Sequence, residues 1–227
     1  MIEVKSINKC YDDRTILEDI SFDFKNGSIY ALVGKNGEGK TSLLNAISSS
    51  LYRDFGNVFI DEFLSRYKLF YIPDRKDYFS NYYVKEYLTF IKKIYNSEFE
   101  LQGLNFEYYV NVFKLKNDLG KQIGECSFGT KQKIYMLGAI VSGVTNFIFD
   151  EPFNGIDRLV IHPIRNFFRS FIKQKKMLLY STHSLDIAVN FSDEILFLSD
   201  KKLTLYTKNK RDYTSVYEEF AKQSSFY

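Results

Sequence analysis

The chain opens on alternating apolar and polar positions. Ile2-Glu3-Val4 and Ile20-Ser21-Phe22-Asp23-Phe24 follow the two-residue period of half-buried strands. Asn26-Gly27 is the dipeptide of a tight hairpin turn and predicts one there. Ser28-Ile29-Tyr30-Ala31-Leu32-Val33 is apolar almost without a break, the mark of a buried strand, and it runs into a glycine-rich loop. A helix is expected over Lys40–Ser49, with short strands near Val58-Phe59-Ile60 and Leu69-Phe70-Tyr71-Ile72. The period then changes. Val84, Tyr87, Leu88 and Ile91 fall at helical spacing, and a helical character holds to about Val141.

Beyond Val141, strands and helices alternate. The strands are Phe147-Ile148-Phe149, Met177-Leu178-Leu179-Tyr180 and Ile195-Leu196-Phe197-Leu198; the helices run from Leu159 to Ile172 and from Ser184. Such alternation requires crossovers and a parallel sheet, so a helical block interrupts an α/β domain. The tail after Thr207 is polar and is expected to end in a short helix.

Composition narrows the class. A chain of 227 residues buries a core large enough to be stable without disulfides. Twenty-two Phe and 18 Tyr, with no Trp, predict a core packed on rings. The net charge of +3 is too small to announce nucleic-acid binding. Cys10 and Cys126 cannot build a disulfide framework and point to a reducing compartment. Met1-Ile2-Glu3-Val4-Lys5 lacks the basic and apolar regions of a leader, so none is expected. The longest uncharged run, Ile134–Phe149, is shorter than the ~20 residues of a spanning helix.

Gly34-Lys35-Asn36-Gly37-Glu38-Gly39-Lys40-Thr41 fits G-x-x-x-x-G-K-[ST] between a buried strand and a helix. Glycines let the backbone fold into a nest whose N–H groups face phosphate oxygens. The following helix offers its unpaired N–H groups and positive dipole end to the same anion. Lys40 brings a point charge to the β- and γ-phosphates, and the Thr41 hydroxyl suits Mg²⁺. Further on, Asn146-Phe147-Ile148-Phe149-Asp150-Glu151 is an apolar strand ending in two carboxylates. Ligands of a parallel sheet sit at the carboxyl ends of its strands. Asp150 would face Mg²⁺ through water there, and Glu151 would take a proton from the attacking water.

With these elements the chain resembles the ABC-type ATPase domain, the nucleotide-binding subunit of ABC transporters, over nearly its whole length. Four further elements occur in that family's order. Tyr11 stands where the family places an aromatic on adenine. Cys126-Ser127-Phe128-Gly129-Thr130, followed by Lys131-Gln132-Lys133, resembles the L-S-G-G-Q signature. Asn154-Gly155-Ile156-Asp157 resembles the D-loop, and Thr182-His183 follows a strand as the switch histidine does.

The resemblance implies an α/β fold with a RecA-like P-loop NTPase core, an N-terminal antiparallel β subdomain and an inserted α-helical subdomain at about 75–141. Residues 1–227 would form one such domain, with a polar tail over 207–227. ATP would lie on Tyr11, Asn36, Gly37, Gly39, Lys40, Thr41 and Ser42, and Mg²⁺ on Thr41 and, through water, Asp150. Glu151 and His183 would be catalytic. Ser127, Phe128, Gly129 and Thr130 would act on the nucleotide of a second domain, with Asp157 at the dimer seam. Asp74, in Tyr71-Ile72-Pro73-Asp74, falls where the family's Q-loop has glutamine, which places a carboxylate near the metal. Phe128 and Cys126 also depart from the family, which has glycine and leucine there.

The implied role is an ATP-hydrolysing subunit, cytoplasmic and peripheral on the inner face of the cell membrane. It would work as a homodimer or heterodimer with separate transmembrane permease subunits. The wording of Ile72-Pro73-Asp74 and of Phe128 to Lys133 looks most like exporters of drugs, antibiotics or peptides. A non-transport ABC ATPase acting on nucleic acid or ribosomes stays open, although such relatives carry paired domains or long insertions, and no nucleic-acid partner is expected. A regulator without turnover also stays open, against Glu151 and His183. Plainer readings stand beside several residues. Tyr11 and His183 also suit a core, Ser127 suits a plain helix cap, and His162 has no motif. The clusters Lys173-Lys175-Lys176 and Lys208-Lys210-Arg211 suit a solvated surface.

Overall fold

The computed structural model describes residues 1–60, 69–74, 78–95, 97–173, 175–206 and 218. In chain order, β1 (Ile2–Tyr11), β2 (Arg14–Phe24), β3 (Ile29–Val33), α1 (Lys40–Ser48), β4 (Phe55–Ile60) and β5 (Phe70–Ile72) come first. Three helices follow: α2 (Val84–Ile94), α3 (Gly103–Val112) and α4 (Phe128–Val141). The last third carries β6 (Asn146–Phe149), α5 (Arg158–Ile172), β7 (Met177–Thr182), α6 (Leu185–Phe191), β8 (Glu194–Ser199) and β9 (Lys202–Tyr206).

Two sheets result. One is antiparallel with order β2-β1-β4; the other has order β5-β6-β7-β3-β8-β9, parallel except for β9. The parallel strands β3, β6 and β7 are buried at every residue. Their side chains alternate between two cores. Ile29, Ala31 and Val33 face one, with Phe147, Phe149, Leu178 and Tyr180. Tyr30 and Leu32 face the other, with Ile148, Met177 and Leu179. That second core lies against the antiparallel sheet and α1, through Ile2, Val4, Leu17, Leu43 and Leu44. Two covered faces explain why these strands read as continuous apolar runs.

The first core is built on rings, as the composition predicts. Phe168 links Phe113 and Phe149, at centroid distances of 6.2 and 5.7 Å, both edge to face. Each fully buried Phe contributes about 1.5–3 kcal/mol. Among the described residues no helix is long and apolar enough to cross a membrane. Both cysteines are free thiols, Cys10 exposed and Cys126 buried.

Two turns differ from expectation. Gly27 does adopt a turn backbone, φ 84°, but Asn26-Gly27 makes no hairpin. β2 pairs with β1, whereas β3 lies between β7 and β8 in the other sheet. A strand apolar on both faces needs a packed layer on each face, and β3 has one core on either side of it in the parallel sheet. The turn instead joins the sheets, with Gly27 N donating to Lys176 O at 2.6 Å. Conversely, β8 and β9 form a hairpin through Asp200-Lys201, both left-handed at φ 49° and 66°. The expected helix in the polar tail lies outside the described residues, Glu218 apart, which is helical.

Candidate active site

The glycine-rich loop leaves β3 and enters α1. Gly37 and Gly39 have φ 89° and 97°, a backbone that residues with a Cβ rarely adopt. Gly34 is glycine for a different reason, since a Cβ there would lie 2.6 Å from the Leu198 carbonyl oxygen. The Lys40 side chain folds back along the loop, 7% exposed, and its Nζ donates to the carbonyls of Gly34 (2.7 Å) and Lys35 (3.1 Å). Burial pushes the Lys40 ammonium pKa down, opposed by the nearby Glu151, Asp150 and Glu38 carboxylates.

Strand order brings the remaining groups to this loop. β7 lies between β6 and β3, so the carboxyl ends of three adjacent parallel strands meet there. Asp150, 1% exposed, accepts on one oxygen from Thr41 Oγ1 at 2.7 Å and on the other from Ser181 Oγ. Glu151 adopts a left-handed backbone, φ 45°. Its N–H donates to Ser181 Oγ at 2.8 Å, and its carboxylate lies 3.2 Å from His183 Nδ1. Ser181 thus ties both acids to β7. The His183 side chain is 58% exposed, which removes the core reading.

Beside these groups is a cleft of about 310 Å³, which Ser181 and His183 do not themselves line. Asn36, Gly37, Gly39, Lys40, Thr41 and Ser42 line it, together with Asp74, Asp150 and Glu151. Nine expected residues therefore share one cleft. Ile16, on β2, joins them without having been anticipated, and a Cβ on Gly39 would lie 2.6 Å from its Cγ2. Tyr11 does not line the cleft. It is 48% exposed at the end of β1, with Lys9 Nζ 4.9 Å from its ring centroid, so it is no core ring.

The signature residues gather elsewhere. Ser127 caps α4, accepting from Thr130 N at 3.3 Å, and its hydroxyl pairs with Thr130 Oγ1 at 3.0 Å. Phe128 is 46% exposed. Gly129 packs onto Gly155, where any Cβ would lie 2.2 Å from the Gly155 carbonyl oxygen. Asp157 caps α5, accepting from Leu159 N at 2.8 Å. None of Ser127, Phe128, Gly129, Thr130 or Asp157 lines the cleft.

Two residues with direct contacts to the acids were not anticipated as site residues. Ser181 is the first small polar residue after the apolar run of β7, followed by Thr182, and that change is the signal that marks it. Gln132 is fully buried and donates from Nε2 to the Glu151 carbonyl at 3.3 Å.

The donor set suits Mg²⁺. Among the described residues no three His, Cys, Asp or Glu side chains form a metal cage. What faces the loop is hard oxygen, the Thr41 hydroxyl and the Asp150 carboxylate. Mg²⁺ keeps several waters and takes one or two protein oxygens plus substrate phosphates, which such a pair can meet.

Fold and cleft together define a P-loop nucleoside triphosphatase. A family model described as ABC transporter matches residues 17–154, more than half the chain, and the chain belongs to that family, whose cassettes bind and hydrolyse ATP. It is 27% identical over 207 residues to an uncharacterized ABC transporter ATP-binding protein, MJ1023, of Methanocaldococcus jannaschii, covering 91% of this chain and 77% of that one. It is 26% identical to the SkfA peptide export ATP-binding protein SkfE of Bacillus subtilis, over 89% of this chain and 87% of SkfE. A phosphonates import ATP-binding protein, PhnC of Fusobacterium nucleatum, is 27% identical over 96% and 98% of the two chains. Among solved structures, an ATP binding subunit of an ABC transporter superposes with TM-score 0.80 at 25% identity, covering 99% and 95%. The fold is also that of a dimeric cassette, MJ0796, with TM-score 0.75 at 18% identity over 89% and 96%.

Proposed function

We propose that this chain is the ATP-hydrolysing subunit of an ABC exporter of drug, antibiotic or peptide type. It would act with separate permease subunits, cytoplasmic and peripheral on the inner face of the cell membrane. The observation that carries the catalytic part is the linked set Thr41–Asp150–Ser181–Glu151–His183, which joins the phosphate loop to two acids and a histidine.

In this reading the loop amides and Lys40 hold the triphosphate, and Tyr11 stacks on the base. Thr41 and, through water, Asp150 hold Mg²⁺, which when bound neutralises phosphate charge. Glu151 takes a proton from the attacking water while His183 fixes its carboxylate. Asp74 adds a carboxylate at the edge of the same cleft. Ser127 to Thr130 serve a second nucleotide-binding domain, with Asp157 at the seam; Ser127 caps a 14-residue helix whose positive end suits a phosphate. The dimeric cassette that shares the fold supports such a partner. Export is favoured by the wording of the signature region and by the likeness to SkfE; PhnC stands on the importing side.

Phosphate release from purified wild type and Glu151→Gln tests the catalytic part. Deleting the chain tests the direction. Raised sensitivity to a drug or peptide supports export, and a nutrient-uptake defect would replace it with import.

A further inference from the structure

The first turns of α4 meet the segment after Glu151 at three points. Gly129 lies on the Gly155 carbonyl, and the Phe128 ring covers Gly155 so closely that a Cβ there would be 2.7 Å from Phe128 Cδ1. One turn later, Gln132 Nε2 donates to the Glu151 carbonyl at 3.3 Å.

Gln132 is an unusual choice for that place. It is fully buried, and only its nitrogen can donate to a carbonyl, so the amide orientation is set. Its Oε1 is buried and has no hydrogen-bond partner among the described residues. A methionine of similar length would fill the same space with no orphaned oxygen, so packing does not account for the amide. The residue it holds is itself under constraint. Glu151 sits at φ 45°, a region costly for a side-chain-bearing residue and kept only where the surroundings enforce it. Ser181 on β7 takes its N–H and Gln132 on α4 engages its carbonyl. The β7 clamp is built into the centre of the sheet. The other clamp rides on a helix that begins at Ser127.

We infer that Gln132 is a positioning residue for Glu151, through which α4 passes a displacement of its Ser127 end to the Glu151 carboxylate. Engagement of the signature end by a second domain would thus be read at this chain's own base. The inference rests on Glu151 acting as the base.

The test is Gln132→Met, followed by ATP binding, phosphate release and urea unfolding. The turnover number falls about tenfold while ATP affinity holds and the unfolding midpoint is equal or higher. A merely structural role would make turnover follow stability. Gln132→Glu gives a second readout that needs only folded protein. Its carboxyl donates to the carbonyl only when protonated, so its turnover relative to wild type recovers as pH falls. Gln132→Met within about twofold of wild-type turnover overturns the proposal; so does a Gln132→Glu ratio that stays low down to the acid end of the profile. Glu151→Gln, run in parallel, separates the two ideas. If it keeps turnover, the base assignment falls and takes this proposal with it. If it abolishes turnover while Gln132→Met does not lower it, only the Gln132 role falls.

Discussion

Thr41 and Asp150, 109 positions apart, share a 2.7 Å hydrogen bond that joins the start of α1 to the end of β6. The hydroxyl and the carboxylate hold each other where, on the proposed reading, hard oxygens would meet Mg²⁺. Thr41→Val keeps the shape of the side chain and removes the oxygen. In wild type, chelating Mg²⁺ weakens ATP binding; in the variant binding is already weak and chelation changes it little. Turnover falls by on the order of 10²-fold. Isothermal titration with and without EDTA reads this out, and an unchanged metal response would remove Thr41 from the metal site.

Lys40, whose Nζ lies on the Gly34 and Lys35 carbonyls, is proposed to bring its charge to the phosphates. Saturating ATP at 100 times its dissociation constant stabilises a fold by about 2.7 kcal/mol. Lys40→Ala should lose that thermal shift. A shift equal to wild type would show that the loop amides suffice alone.

The same lysine gives a pH signature. Its pKa in the fold lies below 10.5 because burial disfavours the charged form. Between the folded and unfolded values the unfolded chain binds more protons, so stability rises with pH in that window. Urea unfolding as pH rises toward 10.5 should show a more positive slope in wild type than in Lys40→Met. Equal slopes would mean that the lysine is not desolvated.

Glu151→Gln should bind ATP and lose turnover by on the order of 10²-fold or more. If the chain pairs with itself, this variant accumulates as an ATP-dependent dimer in light scattering. A persistent monomer would identify a different chain as the partner.

Gly129 and Gly155 touch backbone to backbone, with no room for a methyl group. Gly129→Ala should destabilise by about 1–3 kcal/mol. Gly155→Ala meets the movable Phe128 ring, so the Phe128→Ala/Gly155→Ala pair should be less destabilised than the sum of the single changes. Additive unfolding energies would show that the ring does not press on Gly155.

The parts legible in the sequence are those set by local pattern. Val84, Tyr87, Leu88 and Ile91 are all buried on α2, and the loop from Gly34 to Thr41 lies between the expected strand and helix. Asp150 and Glu151 end a strand, so their place follows once the sheet is parallel. What stayed hidden depends on partners distant in the chain. Asn26-Gly27 looks like a hairpin turn because the dipeptide says nothing of which sheet the next strand joins. Asp200-Lys201 makes a real hairpin without glycine or asparagine, so no turn signal stands out. Ile16 enters the cleft only because the antiparallel sheet lies over α1. Gln132 sits in a helix with a polar residue on each side, and its burial against Glu151 is a tertiary fact.

Tyr11 belongs to the antiparallel sheet, whereas the acids, the histidine and the phosphate loop border the parallel one. On the proposed reading the base would rest against the smaller sheet and the phosphates against the larger, and Ile16 of β2, which lines the cleft, is where the two meet. A change at Ile16 would therefore be felt by the phosphate loop through Gly39, although the smaller sheet carries it.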